Sequence, residues 1–227
     1  MIFRQLFDTP SSTLTYLIAD DRGAAVIIDP VLEQAEQYLE LLNELKLTLV
    51  WALDTHIHAD HITGADALKQ HTGATTVIAA NCGASGYDRQ LVDGEILVFG
   101  DESLRVIATP GHTSGSLCYI WRDRLFTGDT LMINACGRTD FQRGSSTEMY
   151  RSITQKLFIL PDETLVYPGH DYKGRRVSSI GEEKVLNLRI AGKSEQEFCD
   201  IMDNLNLATP KRMHEAVPAN LLGGRVE

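Results

Sequence analysis

Residues 55–61 read THIHADH, which sets three of the chain's seven histidines and an aspartate within six consecutive positions. Extended backbone at His56–His58 puts alternate side chains on one face, and a turn at Ala59–Asp60 brings Asp60 and His61 round to the same side. Three further stretches end in a ligand-type side chain: PGH at 110–112, TGD at 127–129 and PGH at 168–170. Neutral imidazole and carboxylate suit Zn, Fe and Mn, and no cysteine falls in these stretches to suggest a thiolate site. A lone histidine is usually a satisfied core or surface residue, and His71 and His214 read that way. Five histidines in loops of one kind read as a metal site.

Each of these stretches follows an apolar run: LTLVWALD, LRVIA, RLF and TLVY. Such runs read as buried strands, and loops at strand ends are where α/β proteins gather reacting groups, because the sheet fixes their anchors. Upstream, Thr13–Ala19 and 24–29 flank DDRG and read as a hairpin. The stretch LEQAEQYLELLNELK spaces Ala35, Tyr38, Leu39, Leu42 and Leu45 as one helical stripe. A helix is expected near 64–71 and a short strand at Thr75–Ala79. Strands are expected at Ile96–Phe99, 104–108, 116–121, 125–127 and 165–167. Ser145-x-x-Glu148 and Ser194-x-x-Glu197 predict capping boxes for helices over 147–158 and 197–205. The tail, with Pro210, Pro218, Gly223 and Gly224, reads as irregular.

The chain has 227 residues, 43% of them hydrophobic and 23% charged, which suits one α/β domain over residues 1–227 with a short C-terminal helical or irregular extension. No apolar run reaches the length of a membrane span, and no basic start followed by an apolar stretch opens the sequence. The expected compartment is the cytoplasm, with no membrane partner. The four scattered cysteines predict reduced thiols and not a disulfide framework.

A net charge of −10 argues against nucleic acid as a partner. Residues 1–120 hold 6 Lys/Arg against 16 Asp/Glu, whereas residues 121–227 hold 15 of each. The basic residues Arg138, Arg143, Lys173, Arg175, Arg176, Arg189 and Lys193 all fall in the second part. They suit either a solvated face or the docking of an anionic small molecule.

THIHADH, PGH, TGD and PGH, in that order, resemble the metallo-β-lactamase superfamily from about Phe7 to Tyr172. The resemblance implies an αββα sandwich, two mixed sheets flanked by helices. GRTDFQRG at 137–144, NLNLATP at 204–210 and VPANLLGG at 217–224 further resemble the persulfide dioxygenases of that superfamily. Asn187-Leu188-Arg189 departs from the pattern, where a proline is expected in the middle position. No extra glutathione-binding helical domain of the hydrolase kind is expected.

The dioxygenase resemblance implies one Fe(II) per chain, held by His56, His112 and Asp129 as a facial triad. It implies glutathione persulfide and O2 as substrates, sulfite and glutathione as products, and is compatible with a homodimer. His58, Asp60, His61 and His170 would then orient the ligands and control solvent access. Arg138 is the first candidate for the glutathione carboxylates, with an ion pair to Asp140 or another carboxylate that stiffens the loop as its alternative, followed by Tyr172 and Lys173, then Thr113 and Arg189. A binuclear zinc hydroxyacylglutathione hydrolase is the alternative that the resemblance leaves open. There His56, His58 and His112 would hold one zinc, Asp60, His61 and His170 the other, and Asp129 would bridge them.

Overall fold

Apolar β-branched runs at Thr13–Ala19 (β2) and Ala24–Ile28 (β3) pair antiparallel, as the hairpin reading expects. The computed structural model describes residues 1–225. Strands β1 (Ile2–Asp8), β4 (Thr48–Leu53), β5 (Thr75–Ala79) and β6 (Arg89–Leu91) complete a six-stranded sheet in the order β1-β2-β3-β4-β5-β6. It is antiparallel from β1 to β3 and parallel from β3 to β6. The second six-stranded sheet has the order β12-β11-β10-β9-β8-β7. Its members are β7 (Ile96–Phe99), β8 (Glu102–Ala108), β9 (Leu117–Trp121), β10 (Arg124–Gly128), β11 (Leu165–Pro168) and β12 (Ser178–Ser179). Two mixed sheets of six strands, flanked by helices, are the fold class that the sequence implied.

Contact density divides the chain into two units. The first takes Met1–Leu91, Ile96–Leu104 and the stretch from Thr209; the second takes Val92–Glu95 and Arg105–Ala208. In the first unit, α1 (Ala35–Glu44) follows a tight turn at Leu32–Gln34 and buries Ala35, Tyr38 and Leu42, the core part of the stripe read from sequence. With α2 (Ala65–Thr72) it joins Leu17, Ile27 and Ile78 in one apolar cluster. Each such fully buried Leu or Ile contributes about 1.5–3 kcal/mol. In the second unit Leu125, Val166, Ile153 and Phe198 anchor a separate cluster.

Both predicted helix starts are present. Ser145 accepts from the Glu148 backbone N–H at the start of α3 (Ser146–Arg151), which widens into π turns over Ser152–Leu157. Ser194 and Glu197 form a complete capping box at α5 (Glu195–Asp203). The tail departs from its expectation. Met213–Leu221 is helix α6 despite Pro218 inside it. Burial of Ala216 and packing of Val217 and Leu221 on the first unit's core outweigh the one backbone bond that Pro218 removes. Strand β1, short helix α4 (Ile180–Leu186) and the brief strands β6 and β12 carry no strong periodic signal. All four cysteines are free thiols, and no helix among the described residues is long and apolar enough to cross a membrane.

Candidate functional site

In the first unit, β4 runs straight into Asp54 and the histidine loop. Asp54, Thr55, His56, His58 and His61 are all buried. Asp29, directly after β3, organises the loop. Its Oδ1 accepts from the Thr55 backbone N–H at 2.7 Å and lies 3.1 Å from His58 Nε2, and its Oδ2 accepts from Thr55 Oγ1 at 2.9 Å. The Thr55 hydroxyl has only one hydrogen, and Asp29 takes it. The 3.0 Å contact between Thr55 Oγ1 and His56 Nδ1 is therefore donated by the imidazole, which leaves the lone pair on His56 Nε2.

The same logic governs the neighbouring rings. His58 donates from Nε2 to Asp29, with Asp54 at 3.6 Å behind, so its neutral form carries a lone pair on Nδ1. Burial pushes the His58 pKa down, but Asp29 and then Asp54 raise it well above the ordinary histidine range. His61 donates from Nδ1 to Asp60 at 2.9 Å, with Thr13 Oγ1 at 3.2 Å. Buried His58 Nδ1 and His61 Nε2 have no hydrogen-bond partner. The ring centroids of His56–His58 and His58–His61 are 4.2 and 4.3 Å apart. Ligand atoms of His58, Asp60 and His61 lie within 4.8 Å of one another. Imidazoles that park one N–H on a protein acceptor and leave the other nitrogen buried and unpartnered fit a divalent cation.

Asp54 completes the frame from below. It accepts from the Thr63 hydroxyl at 2.9 and 2.8 Å and from Tyr87 at 2.6 Å. Buried Asn220 of α6 reaches the same loop: its amide donates to the carbonyls of His58 and His61, each at 2.9 Å. Sequence reasoning missed Asp29, Asp54 and Asn220. The two aspartates did carry a signal, since each ends an apolar strand as Asp129 does. Asn220 carried none beyond its place in VPANLLGG.

In the second unit the ligand-type residues come from three strand ends. His112 follows β8 and donates from Nδ1 to the Arg138 carbonyl at 2.7 Å, which leaves the lone pair on Nε2. That nitrogen lies 3.6 Å from Asp129 Oδ2, just after β10. This is too long for a hydrogen bond, and it suits two donors that each reach about 2.1 Å to one cation. His170, after β11, donates from Nδ1 to Asp129 Oδ1 at 2.7 Å. Gly137 permits this packing: a Cβ there would collide with the Asp129 carbonyl and lie 2.8 Å from His112 Nδ1.

The candidate substrate residues differ in how they are held. Arg138 grips Asp140 with two bonds of 2.6 and 2.7 Å, donates to the Ala208 carbonyl at 2.7 Å and lies over the Phe141 ring. Arg189 donates to the Cys136 carbonyl, and Thr113 Oγ1 shares a 2.9 Å bond with Ser116. Tyr172 is 72% exposed and stacks parallel on His170 at 5.9 Å. Lys173 is exposed beside it. His71 and His214, read as ordinary, are exposed on helices.

The family model of the metallo-beta-lactamase superfamily matches residues 8–170. Human persulfide dioxygenase ETHE1, a mitochondrial protein, is 45% identical over 228 residues, covering 99% of this chain and 89% of that one. The crystal structure of ETHE1 from Myxococcus xanthus matches with a TM-score of 0.97 at 55% identity, over 99% of this chain and 100% of that one. A hydroxyacylglutathione hydrolase from Rhizobium johnstonii is 42% identical over 147 residues, 63% of this chain and 54% of that protein.

Proposed function

The chain belongs to the metallo-β-lactamase superfamily, and from that premise we propose that it is a persulfide dioxygenase that converts glutathione persulfide, O2 and water to sulfite and glutathione. The observation that carries this reading is the match over 99% of the chain to persulfide dioxygenases, tail included. The hydrolase match covers 63%. Residues 1–227 act as one functional domain in this reading.

We assign His56, His112 and Asp129 as the holders of one Fe(II). The donor set fits: His56 and His112 each spend Nδ1–H on a protein oxygen and keep Nε2 for a cation. Fe(II), when bound, supplies the redox chemistry that joins a persulfide sulfur to O2. The remaining work belongs to the chain. Asp29 through Thr55 fixes the tautomer of His56, and the Arg138 carbonyl fixes that of His112. His170 holds one oxygen of Asp129, leaving the other to face His112. Tyr172, exposed and stacked on His170, and Lys173, exposed next to it in sequence, are assigned to the glutathione moiety. Arg138, Arg189 and Thr113 shape the loops that receive it.

Asp60 Oδ2 already accepts from His61 and Thr13, which supports an orienting role for this pair. One observation favours a second reading. The unpartnered nitrogens of His58 and His61 are ring atoms that a binuclear zinc hydrolase would use, His58 toward one zinc and His61 toward the other.

The test is to load the purified chain anaerobically with Fe(II) and record oxygen uptake on adding glutathione persulfide. The dioxygenase reading expects rapid uptake with stoichiometric sulfite, lost in His112→Ala. Absence of uptake, with a sample holding two zinc ions that cleaves an acylglutathione, would overturn it in favour of the hydrolase.

A further inference from the structure

Asn220 lies 159 residues beyond His61 yet makes three bonds to its loop. Its side-chain nitrogen has two hydrogens, and both are used, on the carbonyls of His58 and His61 at 2.9 Å each. Its oxygen accepts from the Thr63 backbone N–H at 2.9 Å. The amide can adopt only this orientation, since a flipped group would set its oxygen against two carbonyls. Asn220 is itself buried.

The residues that follow fit the same loop closely. Asp66 N donates to the Gly223 carbonyl at 3.1 Å. At Gly224, φ is +88° and a Cβ would collide with the Thr63 carbonyl, so this position requires glycine. On the other side of the turn, Ser85 N donates to the Leu221 carbonyl at 2.9 Å. The C-terminal end of α6 is thus a close-fitting clamp on the backbone that carries His58, Asp60 and His61.

We propose that Asn220 is a positioning residue for the metal-ligating loop: it fixes the His58–His61 turn, and with it the direction of their buried, unpartnered ring nitrogens. This rests on the metal-site reading given above. Alanine at 220 takes the partners from two buried carbonyls and one N–H, and the turn loses the three bonds that fix it. Outer hydrogen bonds of this kind typically govern metal affinity by about 10–100-fold.

The experiment titrates the full-length metal-free protein with Co(II), recording the dissociation constant, the visible ligand-field spectrum and the Tm of the metal-free form. Asn220→Ala and Asn220→Asp are compared with Val217→Ala, a substitution on the same helix whose apolar side chain packs on the core and has no hydrogen bond to give the loop. Asp keeps the acceptor for Thr63 and loses both donors, and it serves if the alanine variant does not fold. The expected result is Co(II) affinity at least about 10-fold weaker with an altered spectrum, against a lowered Tm with unchanged affinity and spectrum in Val217→Ala. A Tm loss alone in both Asn220 variants would overturn the proposal, making Asn220 a fastener of the tail. Oxygen uptake by the unaltered enzyme tests the dioxygenase reading separately, whereas an unaltered chain that holds no Co(II) would overturn both.

Discussion

The two units present their histidines in opposite ways. In the first, one continuous turn carries three imidazoles in mutual contact, all buried, with two ring nitrogens left unpartnered. In the second, His112, Asp129 and His170 arrive on separate loops and hold one another through side-chain geometry. A contiguous turn must be braced from outside, and Asp29, Asp54 and Asn220 do so. Separate strand ends are braced by their own sheet and packed close through glycines such as Gly137 and Gly144, where the first unit's turn relies on three buried polar supports.

The largest expected effect breaks the comparison at its centre. His112→Ala abolishes oxygen uptake under the mononuclear reading, because it removes an assigned ligand. His58→Ala removes only an orienting ring and lowers uptake by about 10–100-fold. Steady-state uptake with Fe(II)-loaded variants separates them. Equal and complete loss in both, with zinc stoichiometry falling from two, would place His58 among the ligands.

Next comes the brace itself. Asp29→Ala leaves buried His58 and the Thr55 N–H without their main acceptor, and losing one partner of a buried pair costs about 3–5 kcal/mol. Denaturant unfolding of the metal-free protein measures it. Cost confined to metal retention, with stability unchanged, would show that the loop does not need this support to fold. In the second unit Gly137→Ala forces Asp129 and His112 apart. It should weaken metal retention by about 10-fold or more while sparing far-UV circular dichroism.

The same contrast explains what the sequence made readable. THIHADH was legible because its ligand-type residues are contiguous, and α1 because Ala35, Tyr38 and Leu42 keep one stripe. The capping boxes were legible because they are local, although only the Ser194–Glu197 pair closes both bonds. Edge strand β1 was not, since only Asp8 in it is buried and its half-buried and exposed residues follow no alternation. Helix α6 was hidden by Pro218, whose cost is met by core contacts from residues far away in sequence. Asn220 has no local signature at all: its role exists only once the chain returns to His61. Arg138 was legible as a cation near the Asp129 loop, and Asp140 two residues on as its ion-pair partner, but not the Ala208 and Leu207 carbonyls that also hold it.

The smallest effect concerns the loop that carries His170. Asp171 is buried and accepts from the Arg175 guanidinium at 3.0 and 2.7 Å and from two backbone N–H groups, of Lys173 and Arg175. Burial pushes its pKa up, but the Arg175 side chain and these N–H bonds outweigh it and hold the carboxyl below its ordinary 3.8. A depressed folded-state pKa means stability that is fully present above the unfolded value and lost as pH falls through the folded one. Asp171→Asn should therefore cost about 1.5–3 kcal/mol at neutral pH, the range for hydrogen bonds to a charged group. The gap between the two proteins should close as pH drops below 3.8. Chemical denaturation of the metal-free pair at neutral and acid pH tests this. A gap independent of pH would mean that the loop depends on the shape of residue 171 and not on its charge, and would make the second unit's loops as reliant on packing as the first unit's turn is on hydrogen bonds.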